Sequence, residues 1–220
     1  MDWIVKFFQD GGNLMYVNLL VMVFAMAIVF ERAFMLMFKY RMDTKAFMSE
    51  IEKALGAGNM PKAKKLCKDQ VGPMLPRVIF SALNASYLGP EATARAIDES
   101  KAEVSPHIGK RTNMLWPIAN IATLIGLVGT VFGLIQAFAA VNSVTGAEKS
   151  ALLTAGIAHA MNNTAWGLSI ALVCTLAHMI LSNVSKGLNE DLELASLKIE
   201  NLLARLMAER AKGAAAGSES

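Results

Sequence analysis

The sequence predicts an all-α membrane protein: three transmembrane helices with long cytoplasmic helical extensions. The first observation is composition. Of 220 residues, 54% are hydrophobic and 18% charged, against about 45–50% and about 25% in an average soluble domain. The second is that the apolar excess is gathered into three runs, each long enough for a bilayer that needs about 20 mostly apolar residues. The third is that Lys and Arg collect on alternate sides of those runs. A soluble globular domain and a disordered chain are excluded. A net charge of +3 is too modest to argue for nucleic acid as a partner. Cys67 and Cys174 cannot make a disulfide framework, or a zinc site unaided.

Residues 1–13 carry Trp3, Ile4, Phe7 and Phe8 with Asp2 and Asp10. They read as an amphipathic helix in the outer interface or, equally well, as an aromatic flank of the first span. They do not read as the start of a signal peptide, because MDWIVKFFQD has one Lys against two Asp and the following apolar run is too long. Transmembrane helix 1 is expected over 14–38, with Glu31-Arg32 marking its inner end. The 39–113 loop reads as helices. Phe47, Ile51 and Leu55 share a face before Gly56 and Gly58 stop the helix, and Pro61 starts another. Val78, Ile79 and Leu83 mark a third, and a polar helix runs to Pro106. Transmembrane helix 2 is expected over 114–142, a periplasmic loop over 143–154 and transmembrane helix 3 over 155–182. Residues 183–220 form a cytoplasmic helix and tail. Leu188, Leu192, Ala195, Ile199, Leu202 and Leu206 make a packing seam there, and the tail frays from Gly213.

Charge sets the orientation. The 39–113 loop holds thirteen Lys and Arg and the 184–220 tail five, whereas segments 1–13 and 142–154 hold one each. Lys39, Arg41 and Lys45 follow span one, Lys110 and Arg111 precede span two, and Lys186 follows span three. The positive-inside rule therefore places the N-terminus outside and the loop and C-terminus in the cytoplasm.

Spans two and three contain no Asp, Glu, Lys or Arg. Span two carries Gly126, Gly129 and Gly133 in GLVGTVFG, and span three carries Gly167. A phosphate loop is excluded, since no GK[ST] follows and no strand precedes. Small residues in lipid let helix backbones approach, so these four are read as packing residues. Thr123 and Thr130 lie about 20° apart on an ideal helix, as do Thr164 and Thr175. Depths match too. Thr130 lies about 17 Å and Thr164 about 14 Å below the outer ends of their spans, and Thr123 and Thr175 about 10–12 Å from the inner ends. Two hydroxyl layers at shared depths fit helices lining a polar path; the competing reading is that each threonine bonds its own i−4 carbonyl. Asn162 and Asn163 are costly in lipid and either bond neighbouring helices or help coordinate a cation. A hydroxyl does not exchange protons with bulk water near neutral pH, so a titrating carboxylate would have to come from another chain. His159 and His178, towards opposite ends of span three, are relay or packing residues.

GLVGTVFGLIQAF and GIAHAMNNTAWGLSIAL closely resemble the MotA/TolQ/ExbB ion-channel family, nearest to its TolQ/ExbB branch. The Glu31-Arg32 pair and the three-span topology match that branch as well. The resemblance implies a homopentamer in the bacterial inner membrane, enclosing two copies of a single-span ExbD/TolR/MotB-like protein that supplies an ion-binding Asp. It implies that Thr130 and Thr164 line the ion path; the residues themselves add Thr123, Thr175 and Asn163 as its expected extension. It implies a stator that converts ion flow into mechanical work for envelope energisation, transport or gliding; a flagellar role fits less well, since such subunits usually have four spans. Two positions depart from the pattern. His159 stands where the branch usually has Glu, and SIALV replaces its proline-containing stretch. The Asn pair opens sodium as an alternative to the proton as the transported ion. No cofactor, metal site, catalytic residue or nucleic-acid partner is expected; membrane lipids are. No HExxH or CxxC occurs, and His107, His159 and His178 map to different depths, so an enzyme is the remotest reading. The nearer rival is a structural membrane scaffold in which the threonines are helix glue.

Overall fold

The structure, a computed structural model, describes residues 13–40, 42–70, 72–142 and 148–217. The segment expected as an outer-interface helix falls, apart from Asn13, outside the described residues. Three described helices are long and apolar enough to cross a membrane. Helix α1 spans Asn13–Phe34 and closes on a π-helical turn, Met35–Lys39. Helices α2 (Thr44–Gly56), α3 (Met60–Asp69), α4 (Leu75–Ala85) and α5 (Pro90–Gly109) follow. Helix α6 spans Leu115–Val141 and α7 spans Glu148–Gly217. The described residues form two compact units, one from those up to 32 with those of 111–182, the other from those of 33–110 with those from 183 to 217.

The second unit is a water-type helical core. Asp43 starts α2 by accepting from the backbone N–H groups of Lys45 and Ala46 at 3.1 and 3.0 Å, which satisfies donors that a helix start leaves orphaned. Gly58, at φ 72, ends it: its N–H donates to the Leu55 carbonyl and that of Asn59 to the Ala54 carbonyl. This is the paired C-terminal closure that needs a left-handed residue. Asn59 then caps α3 through the Lys62 N–H at 3.0 Å. The apolar faces so aligned meet in one core. Ile51, Val78, Ile79, Leu83 and Ile97 are buried there, and α7 contributes Leu192, Ala195, Ile199 and Leu203. The Lys101 ammonium pairs with Glu193 at 2.8 Å, and the Ser105 hydroxyl donates to Asn189 at 2.9 Å. Burial pushes the Cys67 thiol up to about 12, which keeps it protonated and a poor nucleophile at neutral pH.

Two helix ends differ from the sequence expectation. Helix α5 does not stop at Pro106 but continues to Gly109. Proline there forfeits one hydrogen bond, yet Val104 and Ile108 on either side are both buried, and their shared face carries the helix through. Helix α7 passes Gly213 to reach Gly217, through an alanine run with the best helix propensity of any residue.

The first unit holds α1, α6 and the apolar half of α7. Leu20 and Phe30 are 71% and 67% exposed, as suits side chains facing lipid. At one end, Glu31 accepts a forked contact from one Arg111 guanidinium nitrogen at 2.5 and 2.6 Å. Arg111 sits at φ 63, a left-handed conformation uncommon outside glycine.

Replacing Ile199 with Ala is expected to cost about 2–5 kcal/mol of unfolding free energy. Lys198→Ala, on the exposed side of the same turn, should stay within about 0.5 kcal/mol. Chemical denaturation of the detergent-solubilised chain measures both.

Candidate functional site

In lipid no hydrophobic force drives one apolar helix against another, so close packing has to come from small residues. Helices α6 and α7 meet along such a ladder. A Cβ built on Gly156 would run into the Ala137 Cβ, and one on Gly133 would lie 2.8 Å from the Ala160 Cβ. A Cβ on Gly129 would lie 2.6 Å from Asn163 Cγ, and one on Gly126 3.0 Å from the Asn163 carbonyl oxygen. One on Gly167 would lie 2.6 Å from the Ala122 carbonyl oxygen. All four sequence-predicted packing glycines stand where these backbones approach. Gly129 opens the notch that Asn163, buried, occupies.

This approach brings two of the predicted threonines together. The Thr130 and Thr164 hydroxyls meet across the two helices. The Gly126 carbonyl lies 3.1 Å from Thr130 Oγ1 and 3.2 Å from Thr164 Oγ1. Each hydroxyl has one proton. Two protons serve three oxygen–oxygen contacts, so the cluster has three orders: both hydroxyls donate to the carbonyl, or one of them does and accepts from the other. A hydroxyl cluster of this kind can reorient its dipoles towards a passing cation. It cannot itself gain or lose a proton near neutral pH.

The layer of Thr123 and Thr175 is different. Thr123 donates to its own i−4 carbonyl, Ala119, at 3.1 Å, and Thr175 is half-buried. No hydrogen bond joins Thr123 to Thr175 among the described residues. The Thr130–Thr164 layer is thus a cross-helix cluster and the Thr123–Thr175 layer is not.

Two features escaped the sequence reading. Asn18 of α1 is fully buried, and its side-chain amide donates to the Ala122 carbonyl at 3.1 Å beside Gly167. It ties the first span to a place where the other two approach closely. Its only signal was a lone amide in an apolar run. The second is a cleft of about 800 Å³ between the ends of the spans beyond the threonine pair, lined by Leu14, Phe132, Gln136, Leu152, His159 and Asn163. His159 therefore borders an open space, with Gln136 and Asn163 as its polar neighbours in the lining. His178, in contrast, lies at the other end, where its Nδ1 is 3.0 Å from the Thr112 carbonyl oxygen. Among the described residues no group of three or more His, Cys, Asp or Glu is placed to hold a metal ion.

Gly167→Ala is expected to destabilise by about 1–3 kcal/mol, because backbone must yield to the added methyl. Gly187→Ala meets nothing within 4 Å and should stabilise by about 0.5–1 kcal/mol through helix propensity. Thermal unfolding in detergent distinguishes the two signs.

Residues 72–194 match a family model described as the MotA/TolQ/ExbB proton channel family. That region contains the whole ladder, the threonine cluster and the loop helices from α4 onward. Two proteins of Synechocystis sp., both named as biopolymer transport proteins, are similar over most of their length. ExbB-like 1 is 25% identical over 177 residues, covering 79% of this chain and 68% of its own. ExbB-like 3 is 26% identical over 181 residues, covering 81% of this chain and 83% of its own.

Proposed function

The chain belongs to the MotA/TolQ/ExbB proton channel family, and from that premise we propose that it is the channel-forming subunit of an ion-driven stator in the bacterial inner membrane. The observation that carries this reading is the hydroxyl cluster of Thr130, Thr164 and the Gly126 carbonyl. It is a polar knot in two spans without a single charge.

In this reading five copies enclose two copies of a single-span ExbD/TolR/MotB-like partner, with the N-terminus periplasmic and the C-terminus cytoplasmic. A cation enters from the outer face and reaches an Asp on the partner. Thr130 and Thr164 present oxygens to the hydrated ion as it approaches that carboxylate, which lowers the cost of carrying charge through a low-dielectric core. Thr123 and Thr175 continue the route towards the cytoplasm, and Asn163 borders it on the outer side. The ion is the proton, with sodium the alternative that the amides Asn162 and Asn163 raise. Gly126, Gly129, Gly133 and Gly167 keep the two helices close enough for the cluster to exist. Ion flow turns one component within the other, and the work goes to envelope energisation, transport or gliding.

One observation favours a second reading. The Thr123 hydroxyl is engaged by its own helix, as it would be in a scaffold whose threonines are only structural. The two readings separate at Thr164→Val, which keeps shape and removes the hydroxyl. The channel reading predicts an intact oligomer that still captures its partner, with ion flux into proteoliposomes lowered by at least about tenfold. Unchanged flux in that variant, or reduced stability as its only effect, would favour the scaffold. Running the assay with a proton gradient alone and then a sodium gradient alone identifies the ion.

A further inference from the structure

The path as described has hydroxyls but no proton-exchanging group of its own, and one residue at its inner end has the geometry to be that group. Thr112 lies in the turn that leads into α6, and its carbonyl oxygen is 3.0 Å from His178 Nδ1. A carbonyl can only accept, so the hydrogen of the neutral ring is on Nδ1 and the lone pair is on Nε2. In free imidazole side chains the opposite tautomer is the commoner one. The same contact is equally good when the ring is cationic. The Thr112 carbonyl therefore fixes the ring in an orientation that survives both protonation states and leaves Nε2 as the single exchanging position.

Placement agrees with this. His178 follows Thr164 by fourteen residues and Thr175 by three, which puts it about 40° and about 60° from them around an ideal helix. It stays on the side of α7 that faces α6. Trp116, the kind of residue that marks a membrane–water interface, has its ring centroid 6.4 Å from that of His178. His178 is half-buried rather than sealed. The Thr112 hydroxyl is buried and has no hydrogen-bond partner among the described residues, so it adds an unspent donor and acceptor next to the ring. The charged groups at this end of the unit are Arg111, held by Glu31, and the buried Arg32. The other titratable group on the adjoining turn of α7 is Cys174, also buried.

We propose that His178 is the proton-accepting exit residue of the path, a role that rests on the proton-channel reading above. A proton arriving past Thr175 bonds to Nε2 and gives the imidazolium. The same N–H bond at Nε2 then breaks towards cytoplasmic water and restores the neutral ring. The Nδ1–H bond is untouched throughout, and the net change is one proton moved.

Two measurements on the full-length chain test this. With nitrogen-labelled histidine in nanodiscs, magnetic resonance should find the neutral His178 ring as the Nδ1–H tautomer and titrating from the aqueous phase. An Nε2–H ring, or one that does not titrate, overturns the proposal without reference to any activity. In proteoliposomes holding the chain with its partner, a pH-sensitive dye reads proton flux. His178→Gln keeps a donor for the Thr112 carbonyl and cannot titrate. It should assemble normally and lower flux by about tenfold. Acidifying the cytoplasmic face should slow the unaltered protein by more than the loss of gradient alone, and the variant should lack that extra slowing. If Thr164→Val stops flux while His178→Gln leaves both rate and pH profile unchanged, the exit role is wrong and the channel reading stands. If neither substitution alters flux, both fall.

Discussion

Everything in the membrane unit depends on how closely two uncharged helices can approach in a solvent that does nothing to push them together. Lipid tails are as apolar as leucine, so contact has to be made by backbone against backbone. Glycine and alanine at 122, 126, 129, 133 and 137 on one helix face 156, 160 and 167 on the other. Larger residues anywhere on this line would part the helices. Separation of even an ångström or two would take the Thr164 hydroxyl out of reach of the Gly126 carbonyl, since that contact is already 3.2 Å and hydrogen bonds fade quickly beyond it.

The chemistry follows from that proximity. Gly126 has two functions at once. Its missing side chain admits the facing backbone, and its carbonyl, left unshielded, takes donors from both helices. Gly129 gives Asn163 a notch, which makes a deeply placed amide tolerable in lipid. Gly167 lets the Ala122 carbonyl come close, and Asn18 from the first span completes that contact. The polar groups of the unit are therefore lodged in gaps made by missing side chains. An interior of this kind can be polar without being charged.

Much of this was legible in the sequence because lipid imposes strict rules. Runs without charge and the distribution of Lys and Arg define the spans. Helical rise alone placed Thr130 and Thr164 at matching depths, and the structure joins their hydroxyls. The same arithmetic put Thr123 level with Thr175, but no bond joins them: equal depth does not fix the rotation of two helices about their axes, and Thr123 had a carbonyl of its own within reach. Asn18 and the His178–Thr112 contact were beyond pattern reading for a related reason. Their acceptors are backbone carbonyls, and every residue type supplies one, so no letter in the sequence marks them. In the second unit the seam at Leu192, Ala195 and Ile199 was visible as periodicity. The passage of α5 through Pro106 was not, because a local rule was overridden by the burial of Val104 and Ile108.

The central claim is that the Thr130–Thr164 cluster borders a wet path and not a dry helix contact. The most direct test is to place a cysteine at Thr130 in a chain lacking Cys67 and Cys174, assemble it with its partner in membranes, and measure its reaction with a small, membrane-impermeant thiol reagent. Leu127→Cys, on a lipid-exposed position of the same helix, is the reference. The account predicts that the cysteine at 130 reacts and that a cation able to enter the path slows the reaction. A cysteine at 130 as inert as the one at 127, at every reagent concentration and ion composition, would contradict it.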